Sequence, residues 1–493
     1  MFSFLLSIVA LVLGYFIYGR FVEKVFGPDK KRATPAVAMA DGVDYVPMPT
    51  WKVFMIQFLN IAGTGPIFGA IMGAKFGPSC YLWIVLGSIF AGGVHDFFSG
   101  MLSIRKNGAT LPEMVGSELR HGSRQIVIVF TTLVMLMVGA VFVYSPALIL
   151  GGMVGGGTHT AVLIWAGVIL VYYIIATLLP VDKIIGKIYP IFAIALLFMA
   201  VSLFVCLLVK WPSIPEFWQG LQNRAPSVGV KGQSIFPCLF ITVACGAISG
   251  FHSTQSPMMA RCLKNESLGR PIFYGAMIVE GLVALIWAAV SSYFFFDGGM
   301  AECGMESASA PQVVTAVSKH WLGIVGSVLA LLGVVAAPIT SGDTALRGAR
   351  LNIADFLHLR QDKVGKRLAI SIPIFIAVGF LLWFNLANED GFNVIWRYFG
   401  LSNQLLSVFM LTTATIWLAR KYPGGWHFLI AGVPAVFMFT VCLSFICIDK
   451  TCIGLPASFT PWVALCWALL GIVLLGSWVL SIKRKQSYGN QKV

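Results

Sequence analysis

Long apolar stretches alternate with short polar connections along almost the whole chain. A helix rises about 1.5 Å per residue, so roughly 20 apolar residues cross the hydrocarbon core of a bilayer. The pattern predicts thirteen transmembrane helices, numbered here as spans one to thirteen. They lie at residues 2–19, 52–74, 79–104, 124–149, 158–179, 187–209, 235–257, 271–296, 322–341, 367–387, 393–417, 426–447 and 459–482.

Composition supports a chain whose solvent is the bilayer. Hydrophobic residues make up 58% of the 493 residues and charged residues only 11%, whereas soluble proteins carry about 25% charged residues. The formal net charge is +14, but the lysines and arginines lie between apolar runs instead of forming a basic face. Anionic lipid headgroups are therefore the expected partners, and nucleic acid is not.

The basic residues also predict the orientation. Connections after odd-numbered spans, with the C-terminal tail, hold 26 of the 34 lysines and arginines, and connections after even-numbered spans hold 6. Positively charged connections face the cytoplasm. We therefore expect the N-terminus outside, the C-terminus in the cytoplasm, and an odd number of spans.

Two spans contain glycine and small polar residues where a lipid-facing helix would be uniformly apolar. These are residues 60–69 of span two, with Gly63, Gly65 and Pro66, and residues 244–257 of span seven. Proline and glycine favour a break in the helix. Because the two spans enter from opposite sides and are five spans apart, they indicate an inverted repeat with a central site. The alternative is that the glycines only let helices pack closely.

Ionisable residues inside apolar spans are a further signal of function, because a charge at the bilayer centre costs about 2.5 to 3.5 kcal/mol. Span three carries His95 and Asp96, and span eight carries Glu280. Burial disfavours the charged form of a carboxyl group, so Asp96 and Glu280 are candidate proton carriers. The alternative is a structural hydrogen bond, which is the favoured interpretation for His95.

Hydroxyl and amide groups mark two other segments. Thr340, Ser341 and Thr344 at the end of span nine offer oxygen ligands for Na⁺, although such hydroxyls also bond to their own helix backbone. Asn403 and Gln404 in span eleven either line a cavity or hydrogen-bond between helices.

Several of these motifs resemble the carbon starvation protein A (CstA) family of bacterial membrane transporters. The resemblance extends across most of the chain. It rests on residues 44–47 (DYVP), 62–66 (AGTGP), 95–97 (HDF), 244–252 (ACGAISGFH), 341–344 (SGDT) and 399–404 (FGLSNQ).

The resemblance implies a LeuT-like 5+5 fold in the cytoplasmic membrane and uptake of peptides or pyruvate. The core would cover 52–417, with repeats at 52–209 and 235–417. Residues 1–51 and 426–493 would be peripheral. The chain is shorter than family members that extend at the C-terminus, which leaves regulation and substrate range open.

The combined hypothesis is cation-coupled import of a small nutrient. A substrate carboxylate is expected at the backbone N–H groups where span two resumes, because helix N-termini attract anions. The candidate substrate-binding residues are Gly63, Thr64, Gly65, Pro66, Ser249, Gly250, Phe251, His252, Asn403 and Gln404. The candidates for binding the driving H⁺ or Na⁺ are Asp96, Glu280, Thr340, Ser341 and Thr344.

Two other functions are the alternatives. An intramembrane metal-dependent enzyme would use His95, Asp96, His252 and Glu280, but the chain lacks an HExxH motif. A nutrient-responsive channel or sensor would need a pore or filter sequence. We expect no cofactor and no stable metal, and the sequence does not determine the oligomeric state. Pairing of the outer cysteines Cys80, Cys303 and Cys452 is not expected.

Overall fold

Every secondary-structure element of the described chain is helical. A computed structural model describes residues 1–42, 44–119, 121–154, 156–178, 181–305, 307–357, 359, 364–387 and 391–490. The last three residues of the predicted peripheral segment 426–493 lie outside the described residues. Within the described chain the all-helical prediction is confirmed.

The helices follow the predicted spans in order. Spans one to six comprise Phe2–Phe26, Thr50–Ala62 with Gly65–Gly69 and Ala70–Ala74, Ser79–Leu86 with Gly87–Gly92 and Gly93–Arg105, His121–Val154, His159–Leu178, and Val181–Lys210. Spans seven to nine comprise Ile235–Leu239, Phe240–Thr242, Ala244–Ala247 and His252–Ala260, then Arg270–Tyr274 with Gly275–Phe296, then Ala310–Leu329 with Ala330–Val335 and Ala336–Phe356. Spans ten to thirteen comprise Val364–Ala387, Gly391–Lys421, Leu429–Ile448 and Thr460–Asn490. A short helix, Leu111–Glu118, follows span three.

By length and composition, 10 helices of the described chain can cross a membrane, or up to 12 when each of two bent pairs counts as one span. The bent pairs are spans two and nine. Span seven does not meet the criterion because it is divided into pieces of three to nine residues. The count of thirteen therefore stays a prediction.

Contacts between connections agree with the alternating sides that thirteen spans require. Glu266, after span seven, accepts hydrogen bonds from Asp29 N at 2.9 Å, after span one, and from Arg105 Nε at 2.6 Å, after span three. On the other side, Ser213 N after span six donates to Asp297 Oδ2 after span eight at 2.8 Å. Odd-numbered connections thus meet each other, and even-numbered connections meet each other.

Burial differs strongly between spans. Of the most apolar stretch of 18 residues, 83% is buried in span three and 89% in span eight, against 33% in span one and 11% in span thirteen. Spans three and eight hold the ionisable residues of the sequence analysis, so those side chains lie in the packed interior. The exact bounds of the two repeats stay a prediction.

Candidate functional site

Span two is broken at the predicted glycines. Its first helix ends at Ala62, and Gly63 adopts φ 42° and ψ −140°, a left-handed region that favours glycine. The helix resumes at Gly65, and the two halves are bent by 51°. Pro66 has no N–H to donate to the preceding turn. The predicted break is therefore confirmed, and the buried hydroxyl of Thr64 beside it has no hydrogen-bond partner in the described structure.

Span seven is broken over residues 248–251. Helix Ala244–Ala247 ends at Ile248, which is extended with φ −159° and ψ 141°, and the next helix begins at His252. Extended backbone inside a membrane needs partners for its polar groups, since no water satisfies them there.

Span eleven supplies those partners. The Oδ1 atom of Asn403 accepts hydrogen bonds from Ser249 Oγ at 3.0 Å and from Phe251 N at 2.7 Å. Gly250 N donates to the Asn403 carbonyl at 3.1 Å, and Gln404 Nε2 donates to the Ile248 carbonyl at 3.0 Å. Asn403 and Gln404 thus brace the break of span seven.

The two breaks pack directly against each other. A Cβ placed on Gly65 would lie 2.2 Å from the Cβ of Cys245 and 2.3 Å from its Sγ, closer than real contacts allow. A Cβ on Gly63 would lie 2.9 Å from Cζ of Phe142 in span four. In this conformation the side chains of Phe142 and Cys245 therefore cover the backbone where we expect the substrate.

Four ionisable side chains meet beside these breaks, and we call them the His–Asp–His–Glu cluster. Asp96 Oδ1 lies 2.8 Å from His95 Nδ1, and Asp96 Oδ2 lies 2.9 Å from His252 Nδ1. His252 Nε2 lies 3.5 Å from Glu280 Oε2. All four residues are fully buried. Spans three, seven and eight are joined through this cluster.

The hydrogen bonds constrain where protons lie. An ionised Asp96 only accepts hydrogen bonds, so both Nδ1 atoms that face it donate. The distance from His252 Nε2 to Glu280 suits an ion pair but is long for a hydrogen bond. Both Glu280 carboxyl oxygens and His95 Nε2 are buried without a hydrogen-bond partner in the described structure. A proton can therefore be added or removed at Glu280, and equally at His95 Nε2, without breaking a hydrogen bond of the described structure.

The hydroxyls proposed for Na⁺ do not act alike. Thr340 Oγ1 donates to the Ala337 carbonyl at 2.8 Å, and Thr344 Oγ1 donates to the Ser341 carbonyl at 3.0 Å, within their own helix. Ser341 Oγ instead reaches the carbonyls of Leu59 and Asn60 at 3.2 and 3.0 Å. Only Ser341 of the three hydroxyl groups therefore contacts the break of span two, and their part in coupling stays a prediction.

The structure brings together most of the predicted site and adds residues that the sequence analysis did not assign. Phe142 and Cys245 cover the break of span two. Asp343 is fully buried, and its Oδ2 accepts a hydrogen bond from the Tyr189 hydroxyl at 3.0 Å. The signal that selected Asp96, a carboxyl group inside a predicted span, does not reach Asp343, because predicted span nine ends at residue 341 whereas the helix continues to Phe356. No pattern in the sequence indicates that Gly65 and Cys245 are in contact.

The chain is similar to one known protein family and to several named proteins. The family model described as carbon starvation protein CstA matches residues 1–163, 147–323 and 312–445. The chain is 45% identical to an uncharacterized membrane protein of Haemophilus influenzae, over 59% of this chain and 91% of that protein. It is 26% identical to the peptide transporter CstA of Escherichia coli K12, over 88% of this chain and 78% of that one. It is 30% identical to the pyruvate/proton symporter BtsT of the same organism, over 58% of this chain and 48% of that one.

Two solved structures share the fold. A manganese transporter of Eremococcus coleocola superposes with a TM-score of 0.54 at 13% identity, over 90% of this chain and 99% of that one. A Na⁺-coupled sialic acid symporter gives 0.53 at 13% identity, over 96% of both chains. At this identity the likeness concerns the fold alone. It confirms the predicted LeuT-like class.

Proposed function

Because the chain belongs to the carbon starvation protein CstA family, we propose that it is a secondary transporter that imports pyruvate or small peptides together with protons. Family members are named as a peptide transporter and as a pyruvate/proton symporter. The proposed location is the bacterial cytoplasmic membrane, with the N-terminus outside and the C-terminus in the cytoplasm.

The observation that carries proton coupling is the fully buried His–Asp–His–Glu cluster. With Asp96 ionised, His252 protonated and Glu280 and His95 neutral, the four side chains carry no net charge. Loss of one proton leaves a net charge of −1 in a region where unpaired charge is costly. The cluster therefore holds one exchangeable proton, and its affinity for that proton depends on the positions of its members.

The position of His252 joins this proton to the transport movement. His252 is the first residue of the helix that resumes after the break of span seven, while Asp96 lies in span three and Glu280 in span eight. If the half-helix of span seven tilts, His252 moves relative to both carboxyl groups. Proton release and opening of the site then become one event, as alternating access requires.

The substrate is proposed to bind where the two breaks meet. Backbone N–H groups near Gly63, Thr64 and Gly65 would receive its carboxylate, and Ser249, Gly250 and Phe251 would form the facing wall. The contact between Gly65 and Cys245 has to part to admit the substrate. Hydrogen bonds with Asn403 and Gln404 would hold the facing wall in its conformation.

Sodium is the alternative coupling ion. Ser341 Oγ and the carbonyls of Leu59 and Asn60 place three oxygen atoms near the break of span two. Oxygen ligands of this kind suit a hard cation. The proton is favoured because the ionisable cluster is buried and complete in the described structure.

The test is uptake of labelled pyruvate and of a labelled dipeptide into proteoliposomes. We expect saturable accumulation of one of them under an inward proton gradient, and no more than background uptake under a sodium gradient alone. Accumulation driven by sodium alone would contradict proton coupling. Absence of accumulation under either gradient, by correctly inserted protein, would contradict secondary import of these substrates. Uptake that never saturates would favour a channel.

A further inference from the structure

A lysine near the outer end of span two lies buried in a pair of adjoining cavities. Lys75 directly follows helix Ala70–Ala74, and only 9% of its surface is exposed. The two cavities have volumes of about 450 and 350 Å³ and share Lys75, Met72, Val230 and Trp396. Their combined size is in the range of small-molecule sites.

Lys75 has a weak set of partners for a buried ammonium group. Its Nζ lies 3.4 Å from the Ala308 carbonyl and 4.9 Å from the ring centre of Phe295. Within the described chain, no carboxylate pairs with it. Burial lowers the pKa of Lys75, because the charged form has lost water without gaining a counter-ion. An anion in the cavity would restore that lost stabilisation.

Other groups around the cavities reinforce the attraction for an anion. Ser309 and Ala310 line the first cavity at the N-terminus of the helix that runs from Ala310 to a kink at Gly323, where the helix dipole is positive. Arg397 and Asp449 line the second cavity and face each other at 3.5 Å. These two charges balance, so Lys75 leaves the joint cavity with a net positive charge.

The cavity leads towards the proposed central site. Phe68 on span two and Trp396 on span eleven form part of its wall, with ring centres 5.7 Å apart. The aromatic contacts continue from Trp396 to Phe399 at 5.6 Å and from Phe399 to Phe142 at 6.0 Å. Phe142 covers the break at Gly63. Lys75 is ten residues beyond Gly65, which corresponds to about 15 Å of helix.

The connections that line the cavities share one side of the protein. Residues 227–230 follow span six, residues 307–310 follow span eight, and Asp449 and Thr451 follow span twelve. Every one of these spans is even-numbered, as is span two. The distribution of basic residues predicts that this side is external.

From these contacts we propose that Lys75 forms an outer binding site for a small organic carboxylate, separated from the central site by the aromatic side chains of Phe68, Trp396, Phe399 and Phe142. A carboxylate pairs with the ammonium group, and the apolar walls accept the remainder of the molecule. That the substrate binds at this outer site before it reaches the central site rests on the proposed function. Binding of a carboxylate at Lys75 does not depend on that function.

The first experiment measures binding of labelled pyruvate to the purified full chain by equilibrium dialysis, with no gradient. We expect Lys75→Met to weaken binding at one site about tenfold, the factor that corresponds to about 1.4 kcal/mol. Lys75→Arg should retain it. The matched control is Lys231→Met, which removes a charge from an exposed lysine next to the cavity-lining Val230.

Neutral pyruvamide should not compete with pyruvate at this site. Competition by glycylglycine, but not by its C-terminal amide, would assign the site to peptide carboxylates as well. No competition by glycylglycine would restrict the site to pyruvate. Equal binding by Lys75→Met and the wild type, or effective competition by pyruvamide, would overturn the proposal. A melting temperature within about 2 °C of the wild type shows that a variant is folded; if Lys75→Met does not fold, Lys75→Gln replaces it.

The second experiment separates this site from the proposed function. In proteoliposomes, Lys75→Met should raise the KM for pyruvate about tenfold at unchanged kcat. If the wild type binds pyruvate through Lys75 but accumulates none under any gradient, the transport proposal fails and the outer site stands. If the wild type accumulates pyruvate and Lys75→Met has the same KM and the same binding, the outer site fails and transport stands.

Discussion

Asp96 and His252 contact each other through Oδ2 and Nδ1 at 2.9 Å, although 156 residues separate them in sequence. The contact joins span three to the half-helix that resumes after the break of span seven. A movement of that half-helix changes the surroundings of the Asp96 carboxylate. Transport and protonation can therefore be separated experimentally at this pair.

Asp96→Asn should strongly reduce proton-driven accumulation of substrate but leave the exchange of substrate across the liposome membrane intact. An amide keeps the size of the carboxyl group but removes the negative charge that stabilises protonated His252, so the cluster should lose its exchangeable proton and proton-driven accumulation of substrate should fall at least about tenfold. Exchange of labelled for unlabelled substrate across the liposome membrane, which needs no net proton movement, should stay within about twofold of the wild type. Both rates are measured in the same proteoliposomes.

The matched control for this substitution is Asp355→Asn. Asp355 pairs with Arg124 at 2.6 Å at the end of span nine, and its side chain is 37% exposed. Accumulation by this variant should resemble that of the wild type. Equal loss of exchange and accumulation in Asp96→Asn would mean that Asp96 is structural.

Asn403→Ala should destabilise the protein because it removes the brace of span seven. The side chain accepts two buried hydrogen bonds, from Ser249 and Phe251. Each unsatisfied buried donor costs about 1 to 3 kcal/mol, so a loss of about 2 to 6 kcal/mol is expected for the two donors. The measurement is the free energy of unfolding, or the melting temperature where unfolding is irreversible.

Asn385→Ala provides the comparison for Asn403→Ala. Asn385 in span ten is also buried, yet its amide has no hydrogen-bond partner in the described structure. Its removal should leave stability unchanged or raise it. If both substitutions lower stability equally, the hydrogen bonds to the break are not the cause.

Individual residues show what the sequence alone predicts here. Gly63 and Pro66 have strong backbone preferences, so the break of span two is readable without a structure. Asp96 and Glu280 stand out because ionisable groups are rare in apolar spans, whereas His252 is predicted as a substrate-binding residue of span seven. They meet in one cluster because spans three, seven and eight pack together. Their spacing along the chain does not predict this contact.

Other features lay beyond the sequence for a different reason. Lys75 resembles any lysine at a helix end whose ammonium group reaches the membrane surface. The connections that follow spans six, eight and twelve bury it, together with the side chains of Phe295 in span eight and Trp396 in span eleven. Asn403 is expected to line a cavity or to hydrogen-bond between helices; the structure shows its hydrogen bonds to span seven, and its contact with substrate stays a prediction.

Gly65→Ala should impair both stability and uptake, and a second substitution should restore them. The added methyl would overlap Cys245, and overpacking of this kind typically costs about 1 to 3 kcal/mol. Replacing Cys245 by glycine removes both overlapping atoms. We therefore expect the double variant Gly65→Ala with Cys245→Gly to recover at least about half of the lost stability, measured by thermal unfolding.

The control for Gly65→Ala is Gly167→Ala in span five, where a Cβ meets nothing within 4 Å. This variant should unfold at or above the temperature of the wild type. If Cys245→Gly fails to relieve Gly65→Ala, the methyl group acts elsewhere on the break.

Ser341→Ala should distinguish the two coupling ions. Its hydroxyl bonds to the Leu59 and Asn60 carbonyls, so its loss should lower stability by about 1 kcal/mol. Proton-driven uptake should stay within about twofold of the wild type. Uptake is compared under proton and sodium gradients, with Ser202→Ala as control because that exposed hydroxyl bonds only to its own helix at Phe198. A loss of uptake that excess sodium restores would favour Na⁺ at this position.

Cys245 gives the protein a built-in reporter of its own movement. Its Sγ would lie only 2.3 Å from a Cβ on Gly65, and the side chain is almost fully buried. No substrate can pass between the two breaks until this thiol is uncovered. In a chain whose other cysteines are replaced, the rate at which a membrane-permeant alkylating reagent modifies Cys245 would therefore count the openings of the transporter. Comparing that rate with the rate of uptake would show how many openings deliver a substrate molecule.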